Sequence, residues 1–128
     1  MSDSQFIYFN YSEFDCPSEV GSGEKYMNKK FIELLDKARS KCNFSWIISS
    51  GYRSKEHNKE LIKKGYKASK TSAHLTGDAC DIICKDSSKR FEIVQALLSV
   101  GIQRIGISSE FIHCDISQIK PNKLIWTY

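Results

Sequence analysis

The chain has 128 residues, of which 41% are hydrophobic and 27% charged, enough for one buried core and the composition of a soluble globular protein. Its formal net charge of +4 comes from scattered basic residues rather than a stripe, which argues against a dedicated nucleic-acid surface. No stretch approaches the roughly 20 apolar residues of a membrane span, and Met1–Phe6 lacks a basic region followed by an apolar run, so neither a membrane contact nor a secretory signal is expected.

Taken in chain order, the segment through residue 27 opens aromatic-rich (Phe6, Tyr8, Phe9, Tyr11, Phe14) and reads as an irregular arm packed on a single domain, residues 1–128. From Asn28 to about Lys41, apolar residues at Phe31, Ile32, Leu34, Leu35 and Ala38 recur at helical spacing. Trp46-Ile47-Ile48 reads as a short strand closed by Ser49, Ser50 and Gly51, and Ser54 as the N-cap of a helix to Lys64. Residues 66–78 read as a polar loop, and Ala79 to Cys84 as a strand with one conspicuous acid, Asp81. Ser87 or Ser88 caps a third helix that Gly101 ends. Strands follow at Ile102 to Ile107, Phe111 to Ile116 and Leu124 to Tyr128, joined early by Ser108-Ser109-Glu110. This order predicts an α+β domain with a mainly antiparallel sheet and helices packed against it.

Five cysteines occur (Cys16, Cys42, Cys80, Cys84, Cys114) with no C-x-x-C pair, which disfavours a zinc ribbon or a thioredoxin-type site. Buried free thiols are the simpler reading. Lys63, Lys64, Lys67 and Lys70 form the densest basic cluster and read as a solvated helix end.

The chemistry concentrates elsewhere. Of three histidines, His113 lies within the apolar Phe111-Ile112-His113-Cys114 run and His74 precedes the strand carrying Asp81. Polar groups inside apolar strands are costly to bury unless paired or bound to a metal. Two imidazoles and a carboxylate with a fourth position open to water make a common catalytic zinc set, which brings the pKa of a bound water to about 7. Such a site needs a carboxylate as general base, and Glu110 stands three residues before His113. In a regular strand those two would face opposite sides, so Glu110 must precede the strand proper or sit on a bulge. Asp115 shares the His113 face, where it can orient a ligand histidine through the second ring nitrogen. Each residue taken singly also has a plainer reading: His113 as a hydrogen-bonded core histidine, His74 as a surface loop residue, Asp81 as a turn cap or a partner of Arg53 or Arg104, Asp115 as a partly exposed strand-end acid. His57 reads as a solvated helical residue.

The segment Ser72-Ala73-His74-Leu75-Thr76-Gly77-Asp78-Ala79-Cys80-Asp81 resembles the S-x-H-x-x-G-x-A-x-D motif of the zinc D-Ala-D-Ala carboxypeptidase family. That family includes vancomycin-resistance D,D-dipeptidases and phage L-alanyl-D-glutamate endopeptidases, and shares its metal-site architecture with lysostaphin-type peptidases and the hedgehog domain. Ser49 to Ser54 resembles its S-G-Y-R-S segment, Glu110 to Asp115 its acid-x-x-H-x-D segment, and the flanks Phe9 to Cys16 and Trp126 to Tyr128 its lead-in and its W-x-Y end. The resemblance implies one zinc ion on His74, Asp81 and His113, Glu110 as proton carrier, and Arg53 on the scissile carbonyl or its oxyanion. It implies substrate-binding or supporting roles for Ser72, Tyr52 and Asp115, and a tight turn at Gly77. The implied substrate is the bacterial cell-wall (peptidoglycan) stem peptide, cut by a carboxypeptidase or an endopeptidase. A monomeric phage-type lysis enzyme or virion-associated enzyme, or a small bacterial one exported by another route, fits the compact chain. The rival reading is a zinc-bearing binding or virion structural module without turnover, and Glu110 argues against it.

Overall fold

In a computed structural model, residues 6–66, 68 and 71–128 are described. The aromatic arm is buried: Phe9 and Phe14 are enclosed, and Asp36 accepts the backbone N–H groups of Ile7 and Tyr8. It is less irregular than its composition suggests. A 3-10 turn covers Tyr11–Phe14, where Glu13 reaches back to the Asn10 N–H, and a short helix α1 covers Ser22–Tyr26.

Helix α2, Lys29–Arg39, begins where the Asn28 side chain accepts the Lys30 N–H, satisfying one of the donors a helix start leaves free. Strand β1, Ile48–Ser50, lies later than the hydrophobic run Trp46 to Ile48 suggests. Trp46 enters the core outside the ladder, and the strand pairs Ile48 with Ile82 and Ser50 with Asp81, its register shifting between the two at Ser49. Helix α3, Lys55–Lys63, is capped by Ser54, whose Oγ accepts from the His57 N–H. The polar loop that follows contains a second 3-10 turn, Ala73–Thr76, and leads into β2, Ala79–Ile83. Helix α4, Ser87–Ser99, is capped by Asp86 rather than by either serine. Strands β3, Arg104–Ile107, β4, Phe111–Asp115, and β5, Leu124–Thr127, complete the fold.

The sheet order is β1-β2-β4-β3-β5, antiparallel throughout except for the parallel pairing of β3 with β5. It is the expected α+β domain. Strand alternation divides the sheet into two faces. Cys80, Ile82, Ile105, Ile112 and Cys114 point into the core, which they share with Phe31, Ile32 and Leu35 of α2 and Ile93 and Leu97 of α4. Burial of such apolar surface, at about 25 cal/mol per Å², drives the assembly. The opposite face carries the polar residues in register: Ser50, Asp81, His113, Gly106 and Trp126 form one row across all five strands, and Asp115 pairs with Arg104 in the next. Gly106 is required in that row, since a Cβ there would lie 2.6 Å from the Trp126 indole nitrogen. No described helix is long and apolar enough to cross a membrane.

Candidate metal centre

His74 and Asp81 are seven positions apart in sequence, and a tight turn brings them together. Ser72 caps the 3-10 turn by accepting the His74 N–H, and Gly77 ends it in the left-handed region at φ 76°. A Cβ on Gly77 would stand 2.1 Å from the Tyr26 carbonyl oxygen, so only glycine lets the turn seat against α1. The segment after β1 clasps the turn from the other side, with the Arg53 N–H donating to the His74 carbonyl. His113 reaches the same point from β4, directly opposite Asp81 in the ladder.

Three atoms converge there. His74 Nε2 lies 3.2 Å from Asp81 Oδ1, His113 Nδ1 lies 3.0 Å from the same oxygen, and the two ring nitrogens are 3.3 Å apart. All three residues are buried. Each ring is held through its other nitrogen: His74 Nδ1 donates to the Gly51 carbonyl at 2.7 Å, and His113 Nε2 donates to Asp115 Oδ2 at 2.7 Å. A carbonyl accepts only, so His74 turns a lone pair toward the centre, and the outer carboxylate favours the same for His113. With both rings neutral, two imidazole lone pairs and a carboxylate oxygen face one point, a donor set that suits a cation; without one, a proton on His113 Nδ1 bridges to Asp81.

Protonation tells the same story. Burial alone would lower the His113 pKa, yet Asp115 and Asp81 outweigh it and hold it up at about 9. The metal-free cluster therefore keeps a proton on His113 at neutral pH. Burial pushes the His74 pKa down despite Asp81. Asp81, for which burial works the other way, is kept well below the usual carboxylate range by His74 and His113. The donor set fits a metal. Its edges are close to the about 3.3 Å expected of a tetrahedron whose corners stand about 2.0–2.1 Å from an ion. Among the described residues, His74, Asp81 and His113 form the group able to hold one.

The surrounding side chains fix this cluster in place. Arg53 is buried and donates from Nη2 to Asp81 Oδ2 at 3.2 Å, from Nε to Ser50 and from Nη1 to Asn58. Asp115 is buried, not a partly exposed strand end, and its Oδ1 accepts from Arg104 Nε at 2.7 Å. Burial raises and His113 lowers the Asp115 pKa, with the net shift downward.

A cavity of about 340 Å³ opens over the cluster, lined also by Arg53, Ser72, Arg104, Lys120, Trp126 and Tyr128. A neighbouring cavity of about 520 Å³ shares Arg53 and Asp81 and is lined by Ser50, His57, Tyr66, Ser108, Glu110 and Phe111. Glu110 is exposed in the bend before β4, which releases it from the strand alternation that would turn it away. Tyr52 lines neither cavity, and its ring stacks on Tyr26 at 4.7 Å. His57 is half-buried on the wall of the second cavity rather than fully solvated. Of the two arginines considered as partners of Asp81, Arg53 pairs with it and Arg104 pairs with Asp115 instead, while Lys120 and Asn58 escaped the sequence reading of this site.

The five cysteines are free and buried, and none belongs to the cluster. Cys80 and Cys114 face each other on the core side with sulfurs 3.8 Å apart.

No curated protein matches the sequence significantly. The crystal structure of the Serratia marcescens L-Ala D-Glu endopeptidase ChiX shares the fold, with a TM-score of 0.59 over 73% of this chain and 82% of that chain at 17% sequence identity. The peptidase M15 family matches residues 7–115, a span that holds His74, Asp81 and His113 together with Arg53, Ser72 and Glu110, and the chain belongs to that family.

Proposed function

We propose that the protein is a zinc-dependent peptidase that hydrolyses an amide bond in bacterial cell-wall stem peptides. The observation that carries this reading is the convergence of two imidazole lone pairs and the Asp81 carboxylate on one buried point, each ring already held by its far nitrogen. Zinc suits the two-nitrogen, one-oxygen set and the open cavity above it. When bound, the ion supplies Lewis acidity, which makes water a competent nucleophile near neutral pH.

The chain's own residues would do the rest. Glu110, on the wall of a cavity shared with Asp81 and Arg53, takes the proton of the attacking water and returns it to the leaving amine. Arg53 stands at the boundary of both cavities with its guanidinium anchored on Asp81, where its remaining donor capacity faces the carbonyl oxygen as charge develops on it. Asp115 and Arg104 hold the His113 ring, and Ser72 holds the His74 turn. The likeness of fold to an L-Ala D-Glu endopeptidase supports the wall substrate, and the two cavities that meet at Asp81 leave room on both sides of a scissile bond. That favours an L-Ala-D-Glu type endopeptidase over a D-Ala-D-Ala carboxypeptidase. A single domain acting outside the cytoplasm, as in phage-mediated lysis, is the setting this substrate implies.

The test is a mass-spectrometric digest of purified stem peptides with native protein, chelated protein and Glu110→Ala. Fragments from the native protein alone support the reading, and their masses name the bond. Zinc-loaded, folded protein that releases nothing from several stem types would leave a metal-bearing binding or virion structural module in its place.

A further inference from the structure

The cavity over the cluster contains three cationic side chains, and two of them are committed to the protein. Arg53 donates to Asp81, Ser50 and Asn58. Arg104 donates to Asp115 and to the Pro121 carbonyl, and its guanidinium lies 5.0 Å from the centre of the Trp126 ring. Lys120 differs. It is half-buried, lines the same cavity, and has no hydrogen bond or ion pair with any described residue. A half-buried lysine on a cavity wall with no acceptor among the described residues is set to take one from a ligand. Its backbone is not adrift, because Arg104 holds the carbonyl of the next residue, Pro121.

Charge in the cavity points the same way. Histidines aside, Arg53, Arg104 and Lys120 stand against the carboxylates of Asp81 and Asp115, three cations against two anions. The two acids are already satisfied by histidine and arginine, so the surplus positive charge resides at Lys120.

On the wall-peptide reading above, on which this inference rests, both candidate bonds share one feature. The residue that leaves as the amine carries a free α-carboxylate one carbon from the scissile nitrogen, whether it is a D-glutamate continuing through its γ-carboxyl or a C-terminal D-alanine. We infer that Lys120 binds this α-carboxylate and so acts as a specificity-determining residue, favouring substrates in which that group is charged over those in which it is amidated. A charge-assisted hydrogen bond from a half-buried lysine is worth on the order of tenfold in binding.

The experiment measures kcat and KM for native protein, Lys120→Met and Lys120→Arg on two pairs of peptides. One pair is L-Ala-γ-D-Glu-L-Lys and its α-carboxamide, and the other ends in D-Ala-D-Ala or in its C-terminal amide. The native protein should prefer the acid over the amide by about tenfold through KM. Lys120→Met should collapse that ratio toward one and Lys120→Arg should restore it, with melting temperatures unchanged because Lys120 has no hydrogen bond or ion pair among the described residues and methionine keeps an apolar stem of similar length. The pair that shows the effect identifies the carboxylate as in-chain or terminal. Cleavage by Lys120→Met with the acid preference intact, or a native protein that cuts acid and amide equally, overturns the inference and leaves the peptidase reading standing. Failure of the native protein on all four peptides removes the wall-peptide reading and this inference with it.

Discussion

His113 and Asp81 face each other across the β2–β4 ladder with Nδ1 and Oδ1 3.0 Å apart. A cross-strand pair holds two candidate metal ligands rigidly, since the ladder hydrogen bonds fix their spacing. His74 completes the set from a turn that depends on Gly77 and Ser72.

Removing Asp81 should cost stability as well as metal. Asp81→Ala leaves the buried Arg53 guanidinium without its carboxylate, a loss of about 3–5 kcal/mol. Denaturant unfolding of the chelated variant checks the stability, and the metal content of purified protein should fall from one ion per chain to none.

Asp115→Asn tests the outer layer alone. It leaves the three ligand atoms in place but weakens the hold on His113 Nε2 and frees Arg104. Metal affinity measured by chelator competition should fall about 10–100-fold.

Glu110→Gln should separate catalysis from structure. The residue is exposed and outside the metal cluster, so melting temperature and metal affinity should match those of the native protein. Peptide hydrolysis should drop by about 10²–10⁴-fold.

The metal-free protein should lose stability as pH rises. The His113 pKa is raised from its ordinary value of about 6.5 to about 9 in the fold, so its contribution is fully present below pH 6.5 and disappears as the pH passes through 9. Melting temperatures of chelated protein should therefore fall across this interval. Metal affinity should rise over the same interval, because the proton on His113 competes with the ion.

Gly77→Ala should be among the most damaging single-methyl changes in the chain. The added Cβ meets the Tyr26 carbonyl at 2.1 Å and the φ of 76° is strained for any other L-residue, which together cost about 1–3 kcal/mol or more. Thermal unfolding checks it, and metal affinity should fall in step because His74 rides on this turn.

Much of this site could be read from residue order. Asp81 and His113 stand out because each is polar inside an apolar strand, and Asp115 because period two places it on the His113 face. Ser54 was visible as a cap, whereas Asp86 was hidden among three consecutive residues of similar capping ability, Asp86, Ser87 and Ser88. The strand order β1-β2-β4-β3-β5 and the parallel placement of β5 leave no local signal, since they depend on which edge a late strand finds. Arg104 became a partner of Asp115 rather than of Asp81 through that same long-range register, and Lys120 reached the cavity only because the loop before β5 returns over it.

Cys80 and Cys114 stand one residue from Asp81 and His113 on the same two strands, facing the core. A single-residue slip of both strands would rotate the thiols to the open face and send the carboxylate and imidazole inward. The pocket would then offer soft sulfur donors, suited to a different class of metal ion, in place of nitrogen and oxygen. The packing of Ile82, Ile105 and Ile112 beneath the sheet, remote from any chemistry, is therefore what decides which element of the periodic table this face can hold.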